Sequence, residues 1–323
     1  MLQVIRKNES SPQIAPESAV LDIETTGLHR ATDAVFLVGL QTAEEFRQWL
    51  APSRDEEGEL LEAIRPFLAD KTLITYNGDH FDLPFLQERF AVHGIAFPSI
   101  LSQDWFAYLR PRRLFFRFPN LRLSTLARIA GLMRQDPYTG AQIATFSKHL
   151  EDPEAKEAVL LHNEEDVREL ALLLPFCQEW QQRLQLEVPI RASLEALEPK
   201  GDQVTMHYRS EMPARPEWHT ENSFGSLHWV EQDLYCSVPT HRLDANASAE
   251  PRQVAHVSSL ATLSSPSRSS SDTLRLAAVS PSYAEDAAVP PLPKPFLTLS
   301  SSEGYFASNC HRLVRDLFSL GKA

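Results

Sequence analysis

The chain has 323 residues, with 43 acidic against 31 basic side chains and a formal net charge of −12. That balance excludes a uniformly basic polyanion-binding surface, so any phosphate contact has to come from a local concentration of Arg and Lys. Cys177, Cys236 and Cys310 are odd in number and widely spaced, which is no disulfide framework and fits a reducing, cytoplasmic setting. The opening MLQVIRKNES turns polar before a leader's apolar stretch could form, and no apolar run approaches membrane-spanning length, so no membrane association is expected.

From about Pro16 to Leu184 strand-like and helix-like apolar runs alternate, the pattern of an α/β domain. SAVLDIET, AVFLVGL and TLITY read as buried strands. DEEGELLEAIRPFLAD opens with acids and spaces Leu60, Leu61, Ile64, Phe67 and Leu68 as on one helix face. FDLPFLQERFAVHG predicts a helix ending at Gly94, and LSTLARIAGL another with Ser124 as its cap. DPEAKEAVLLHNEEDVRELALLL predicts a long helix with Pro153 in its first turn and Pro175 kinking or ending it. QVTMHY and SLHWVEQDLYCSV then alternate like exposed strands. Between Asp244 and Pro295 the chain is rich in Ser, Ala and Pro, too poor in large apolar groups to offset its ordering entropy. The tail EGYFASNCHRLVRDLFSL regains helical periodicity. The expected organisation is an α/β domain over 15–185, a small β-rich appendage over 186–243, a disordered linker over 244–295 and a docking segment over 296–323.

Three motifs carry chemistry. Asp22 and Glu24 lie two apart at the end of a strand, so both side chains point to one face. Two carboxylates that close repel each other unless a cation lies between them, and a divalent ion with oxygen ligands suits the place. The bland alternative is a solvated acidic strand end. In TLITYNGDHFDLPFL a strand ends at Tyr76, Asn77 and Gly78 turn, and Asp82 opens a helix, where it could serve only as a cap. In HNEED, His162 and Asp166 are neighbours on one helix face beside the apolar Leu161, Val167 and Leu170. An aspartate there is costly unless paired or metal-bound, the competing reading being a surface Asp–His pair.

In this order and spacing the motifs resemble those of the DnaQ-like (DEDD) 3′–5′ exonucleases, and more closely the YprB-type branch of that superfamily. The resemblance rests on ITYNGDHFDLPFLQERF and LLHNEEDVRELALLL, with GLMRQDPYTGAQIATFSKHL as weaker support, and covers roughly residues 15–184. It implies a ribonuclease H-like three-layer domain with a mixed central sheet. It implies two bound Mg²⁺ or Mn²⁺ ions, with Asp22, Glu24 and Asp166 as ligands and Asp82 helping to hold the second. It implies single-stranded DNA or RNA as substrate, with Thr26, Leu28 and Asn77 close to it and Asp104 in a structural hydrogen-bonding role. His162 matches the general base, standing four residues before the last Asp rather than five as in the histidine-bearing relatives. Two-cation hydrolysis of the phosphodiester, releasing nucleoside monophosphates from a 3′ end, is the implied reaction. A non-catalytic nucleic-acid-binding or scaffolding module on the same fold, and a metal-dependent endonuclease, are the rival readings.

The stretch from Arg110 to Arg134 holds seven arginines and no Asp or Glu, with Phe115, Phe116 and Phe118 interleaved. Arg112, Arg113 and Arg117 are the candidates there for phosphate contacts, and the phenylalanines for base stacking. The competing expectation is core phenylalanines beside solvated arginines. Cys236, His241, Cys310 and His311 have no standard zinc-ligand spacing.

Overall fold

The computed structural model describes residues 1–7, 13–222, 225–244, 273–278, 296–301 and 304–320. They divide into two compact units, one of residues 1–110 and 120–178, the other of residues 111–119 and 179–323.

The first unit is built on a six-stranded mixed sheet. Its strands are β1 (Leu2–Lys7), β2 (Ser18–Thr25), β3 (Val35–Gln41), β4 (Glu45–Leu50), β5 (Thr72–Thr75) and β6 (Leu101–Asp104), in the spatial order β1-β4-β3-β2-β5-β6. The first four pair antiparallel, while β2, β5 and β6 run parallel. All seven residues of β3 are buried, as expected of an apolar strand covered on both faces.

Helices α1 (Glu57–Leu68) and α2 (Asp82–Val92) cover one face, packing Leu60, Leu61, Ile64, Phe85 and Phe90 against Ala19, Leu21 and Ile23 of β2. The other face meets α5 (Gly140–Phe146) and α6 (Pro153–Arg183) through Phe36, Leu37, Ile143 and Val159. This is the three-layer ribonuclease H-like arrangement expected from the sequence. Helix α3 (Trp105–Phe116) follows β6, and α4 (Leu123–Ile129) follows α3.

One local expectation is corrected, and of the two outcomes offered for Pro175, kinking or ending the helix, the second is ruled out. Ser124 does not cap α4; the helix begins at Leu123, and Arg122, the residue before it, makes no side-chain cap bond. Pro175 does not end α6, which continues to Arg183. A proline inside a helix costs roughly 3 kcal/mol or more, but Leu173, Leu174, Cys177 and Trp180 on either side of it are buried and hold the helical register.

The second unit contains an antiparallel sheet. Its strands are β7 (Gln185–Leu186), β8 (Ala192–Lys200), β9 (Gln203–Ser210), β10 (Trp218–Asn222), β11 (Gly225–Val230), β12 (Asp233–Asp244), β13 (Thr273–Ala278), β14 (Phe296–Ser301) and β15 (Gly304–Tyr305). The long β12 pairs with β9 and β11 along its first half and with β13 along its second. Residues 273–278, expected to be disordered, therefore form a strand, while the rest of that linker beyond Asp244 lies outside the described residues. Helix α7 (Ala307–Leu320) lays Cys310, Leu313, Val314 and Leu317 on Leu194, Met206, Leu227 and Cys236 of the sheet. No helix among the described residues is long and apolar enough to cross a membrane.

His311 of α7 is buried, with Nδ1 3.0 Å from the Tyr208 hydroxyl and Nε2 3.2 Å from the Arg183 carbonyl. Burial pushes its pKa down to about 4. A histidine kept neutral by the fold favours the unfolded state once that state can protonate, so stability falls as the pH drops from about 6.5 towards about 4. Chemical denaturation should show a loss of up to about 3 kcal/mol across this window. His311→Gln should flatten that pH dependence, and an unchanged slope would clear His311 of the effect.

Candidate active site

The pairing of β2 with β5 stops at Val20 and Ile74. Asp22 and Glu24 thus stand on the part of β2 that runs beyond β5, at the carboxyl ends of the parallel strands, where open α/β sheets leave a crevice. Alternation along the strand sends Leu21 and Ile23 into the core and both acids to the opposite face.

Asp22, Gly39 and Gln48 form one row across β2, β3 and β4. Gly39 leaves a notch in that row: a Cβ there would come within 2.2 Å of Asn163 Oδ1. Asn163 enters the notch from α6, fully buried. It accepts a hydrogen bond from Gln48 Nε2 (3.0 Å) and donates to Asp22 at Oδ2 (2.8 Å) and at the carbonyl (3.2 Å).

The neighbouring helix positions then face the same acids. His162 Nε2 lies 3.6 Å from Asp166 Oδ2 and 4.0 Å from Glu24 Oε1. One ligand atom each from Glu24, His162 and Asp166 falls within 4.8 Å of the other two. Asp82, the first residue of α2, is buried and accepts the Ile23 peptide N–H at 3.1 Å, between the two acids of β2.

Burial drives the carboxyls of Asp22 and Glu24 well above their usual range, and the charges of Asp166 and Asp82 push both further. The Asn163 hydrogen bond offsets part of this at Asp22, as the Arg134 charge does at Glu24. Burial pushes Asp82 up to about 7. Carboxylates this crowded are stable as anions only beside positive charge. The carboxylate oxygens of Glu24 and Asp166 are hard donors suited to Mg²⁺ or Mn²⁺, and Glu169 Oε1 is a buried acceptor with no hydrogen-bond partner.

Part of the positive charge comes from Arg134. Its Nη1 pairs with Asp166 Oδ1 and reaches Glu169 Oε2 at 3.1 Å, while Nε and Nη2 reach Asp136 Oδ2 at 3.2 and 2.6 Å. The same Asp136 oxygen meets His162 Nδ1. A cavity of about 510 Å³ opens here, lined among others by Arg122, Arg134, Tyr138, His162 and Asp166.

Of the residues singled out in the sequence, Asp22, Glu24, Asp82, His162 and Asp166 converge. Thr26, Leu28, Asn77 and Asp104 belong to the loops and turns that follow β2 and β5 and to the end of β6. Thr26 Oγ1 accepts the Ala34 N–H at 3.0 Å, which closes the loop that follows β2, and Leu28 on that loop is 79% exposed. Asn77 adopts a positive φ of 70° at the turn into α2, its N–H held at 2.9 Å by Asp104. Asp104 also accepts the N–H groups of Asp79, Phe106 and Ala107, the structural role expected of it.

Of the basic and aromatic patch, Arg112 is corrected, because a carboxylate already holds it. Arg112, Arg113 and Arg117 belong to the second unit. Arg112 is buried and ion-paired with Glu195, and Arg117 stands 4.3 Å over the Phe306 ring; Arg113 is exposed. Phe115 packs on Tyr305 and Phe118 on Trp180, as core residues do.

Sequence reasoning passed over Asn163, Glu169 and Asp136, and read Arg134 only as part of the basic stretch. Asn163 and Glu169 stand three residues either side of Asp166, on its helix face, so helical spacing could have revealed them. Asp136 lies in a loop, where no periodicity points to it.

Residues 19–177 match the family model of the ribonuclease H superfamily. They belong to that superfamily. The fold of this domain is thus a nuclease-family fold. Solved structures similar to the chain include the family B DNA polymerase of Pyrobaculum calidifontis, 16% identical over 56% of this chain with a TM-score of 0.44. Others are the zinc-bound E. coli ExoI–ssDNA complex (12%, 61%, 0.36) and the EXO domain of Aedes aegypti Nibbler (15%, 52%, 0.35). The chain spans 29% of the polymerase, 55% of ExoI and 82% of the Nibbler domain. No curated protein matches the chain significantly.

Two measurements test the site's construction. Gly39→Ala should cost about 1–3 kcal/mol by forcing Asn163 out of the notch. The penalty should shrink in an Asn163→Ala background, and strict additivity of the two changes would dissociate Gly39 from Asn163. In chelator, Asp82→Asn should stabilise the protein more at pH 8 than at pH 5. A carboxyl whose folded pKa is raised loses its stabilising share as pH rises through about 7, so the gain is on the order of 2–4 kcal/mol at the higher pH. An equal effect at both pH values would refute the raised pKa.

Proposed function

We propose that this protein is a divalent-metal-dependent 3′–5′ exonuclease acting on single-stranded DNA or RNA. The observation that carries the reading is the convergence of Asp22, Glu24 and Asp166 with the His162 ring, brought together from β2 and α6 on a ribonuclease H superfamily domain.

Asp22, Glu24 and Asp166 would hold the cations, Mg²⁺ or Mn²⁺, with Asp82 contributing to the second. When bound, two such cations supply charge for the scissile phosphate and the leaving oxygen and make an attacking water more acidic. Everything else falls to side chains of this chain. His162 Nε2 takes a proton from the attacking water, whose oxygen bonds to phosphorus as the bond to the 3′-oxygen breaks. The imidazolium so formed lies beside Glu24 and Asp166, which favour its charge. Thr26 and Leu28, on the loop after β2, and Asn77, at the turn into α2, would bound the terminal nucleotide. The solved ExoI complex contains ssDNA, and a single strand is the substrate we assign here too. The same metals would also serve an endonuclease, which the choice of substrate ends distinguishes.

One observation favours a different reading. Arg134 already gives Asp166 a positive partner, an arrangement suited to a non-catalytic binding module on the same fold. Metal binding separates the two. For a nuclease, Mn²⁺ raises the melting temperature of the wild type and much less that of Asp22→Asn. 5′-Labelled, unstructured DNA and RNA strands are shortened stepwise from their 3′ ends, and a 3′ block stops it. Asp22→Ala or Asp166→Ala abolishes cleavage with the fold retained, and His162→Ala lowers the rate about 10²–10⁴-fold. Cleavage that persists in excess chelator, or in Asp166→Ala, would overturn the metal assignment.

A further inference from the structure

Asp136 is a loop residue that no catalytic pattern in the sequence picks out. Its side chain is fully buried, and it accepts hydrogen bonds from Tyr138 and Arg134 besides meeting the His162 ring. The Tyr138 N–H reaches Oδ1 at 2.8 Å, Arg134 Nη2 and Nε reach Oδ2 at 2.6 and 3.2 Å, and His162 Nδ1 meets Oδ2. The other nitrogen of the same ring faces Glu24 and Asp166.

We infer that Asp136 is the positioning residue of His162: its carboxylate accepts a hydrogen bond from Nδ1–H and so leaves the Nε2 lone pair on the side of Glu24 and Asp166. This rests on the reading of His162 as the base, because a base needs that lone pair on the substrate side.

Arg134 offers the competing arrangement. Its Nη2 lies 3.1 Å from His162 Nδ1 and could donate to it, which would put the ring proton on Nε2 and take away the base. The carboxylate wins on two counts. It is the nearer partner of Nδ1, and an ionised carboxylate can only accept, so the shared hydrogen has to come from the ring. Burial would by itself raise the Asp136 pKa, but the hydrogen bonds from Arg134, Tyr138 and His162 hold it below the usual range, so the anion is the resident form. Arg134 then acts on the carboxylate rather than on the ring, and fixes it against the Asp166 side of α6 at the same time. A histidine whose second nitrogen donates to a carboxylate is held in one tautomer and one orientation. As the Nε2 position gains a proton from water, the Asp136 anion stabilises the imidazolium without itself being protonated, the division of labour of a histidine–aspartate pair.

The test reads the tautomer directly. Long-range ¹H–¹⁵N correlation spectra of the ¹⁵N-labelled full chain at neutral pH, with the His162 signals assigned by their loss in His162→Gln, should show hydrogen on Nδ1. In Asp136→Asn the side-chain amide can donate to Nδ1, so the hydrogen should move to Nε2. With metal, kcat of that variant should fall about 10²–10⁴-fold with KM little changed. A merely structural role would lower the melting temperature and leave the tautomer as it was. An Nε2–H ring in the wild type overturns the assignment, and that measurement needs no variant to fold. So does an Asp136→Asn protein with kcat within a few-fold of wild type. A wild-type protein with Nδ1–H that cleaves no strand under any divalent metal would sink the nuclease reading and leave the positioning assignment standing.

Discussion

The site depends on one buried amide in one missing side chain. Helix α6 and strand β2 are far apart in sequence and bring complementary parts of the acid cluster, so their register has to be set by something between them. Asn163 does this by entering the Gly39 notch and bridging Gln48 on β4 to Asp22 on β2. A buried amide left without its partners costs roughly 1–3 kcal/mol. A helix slipped by one residue forfeits those bonds and drives another side chain against the β3 backbone. Asp166 lies one turn beyond Asn163 and His162 directly before it, so fixing Asn163 also fixes which groups look down on Asp22 and Glu24.

Electrostatics within that frame run against stability. Three carboxyls have their pKa values raised by burial and by neighbouring acids, Asp166 in every case, which means that each resists ionisation in the folded state. Among the described residues Arg134 is the nearest remedy, and it serves Asp136, Asp166 and Glu169 at once. Burial works against its own charge, yet those anions more than compensate and hold its pKa above the ordinary value. A guanidinium with that many partners leaves the cluster short of positive charge at Asp22 and Glu24, the positions where the acids are most perturbed. Strain of this kind concentrates at functional sites, where it is offset by packing elsewhere.

That packing is visible around the loop that follows β2. Glu57 on α1, buried, accepts the Val35 N–H at 2.8 Å and two hydrogen bonds from Arg89 on α2 at 2.9 and 2.7 Å. Arg89 in turn donates to the carbonyls of Arg30 and Ala31 at 3.3 and 3.2 Å. A buried ion pair contributes little net stability, because desolvation consumes most of the attraction. It does specify geometry: the loop carrying Thr26 and Leu28 is tied to both helices of one layer, while the acids of β2 face the other.

Much of this could be read from the chain. The buried strands around Asp22 and Tyr76, the helix opened by Asp82 and the long helix carrying His162 and Asp166 follow from hydrophobic periodicity, because period and burial are local properties of a sequence. The five converging side chains were legible because each sits at a fixed offset inside such an element. The partners of the arginines between 110 and 134 were not legible, for the opposite reason: a charge run in sequence says nothing about which groups each side chain meets. There, Arg112 went to Glu195, Arg117 to Phe306 and Arg134 to the acids. Asp136 shows the limit most clearly. Its role comes from contacts with Arg134 and with His162, 26 residues away, and a loop residue's partners are chosen by the packing of the elements on either side. Local pattern determined which residues could do the chemistry, and tertiary packing decided which of them meet, because hydrogen bonds and charges act over a few ångströms of space whatever their separation along the chain.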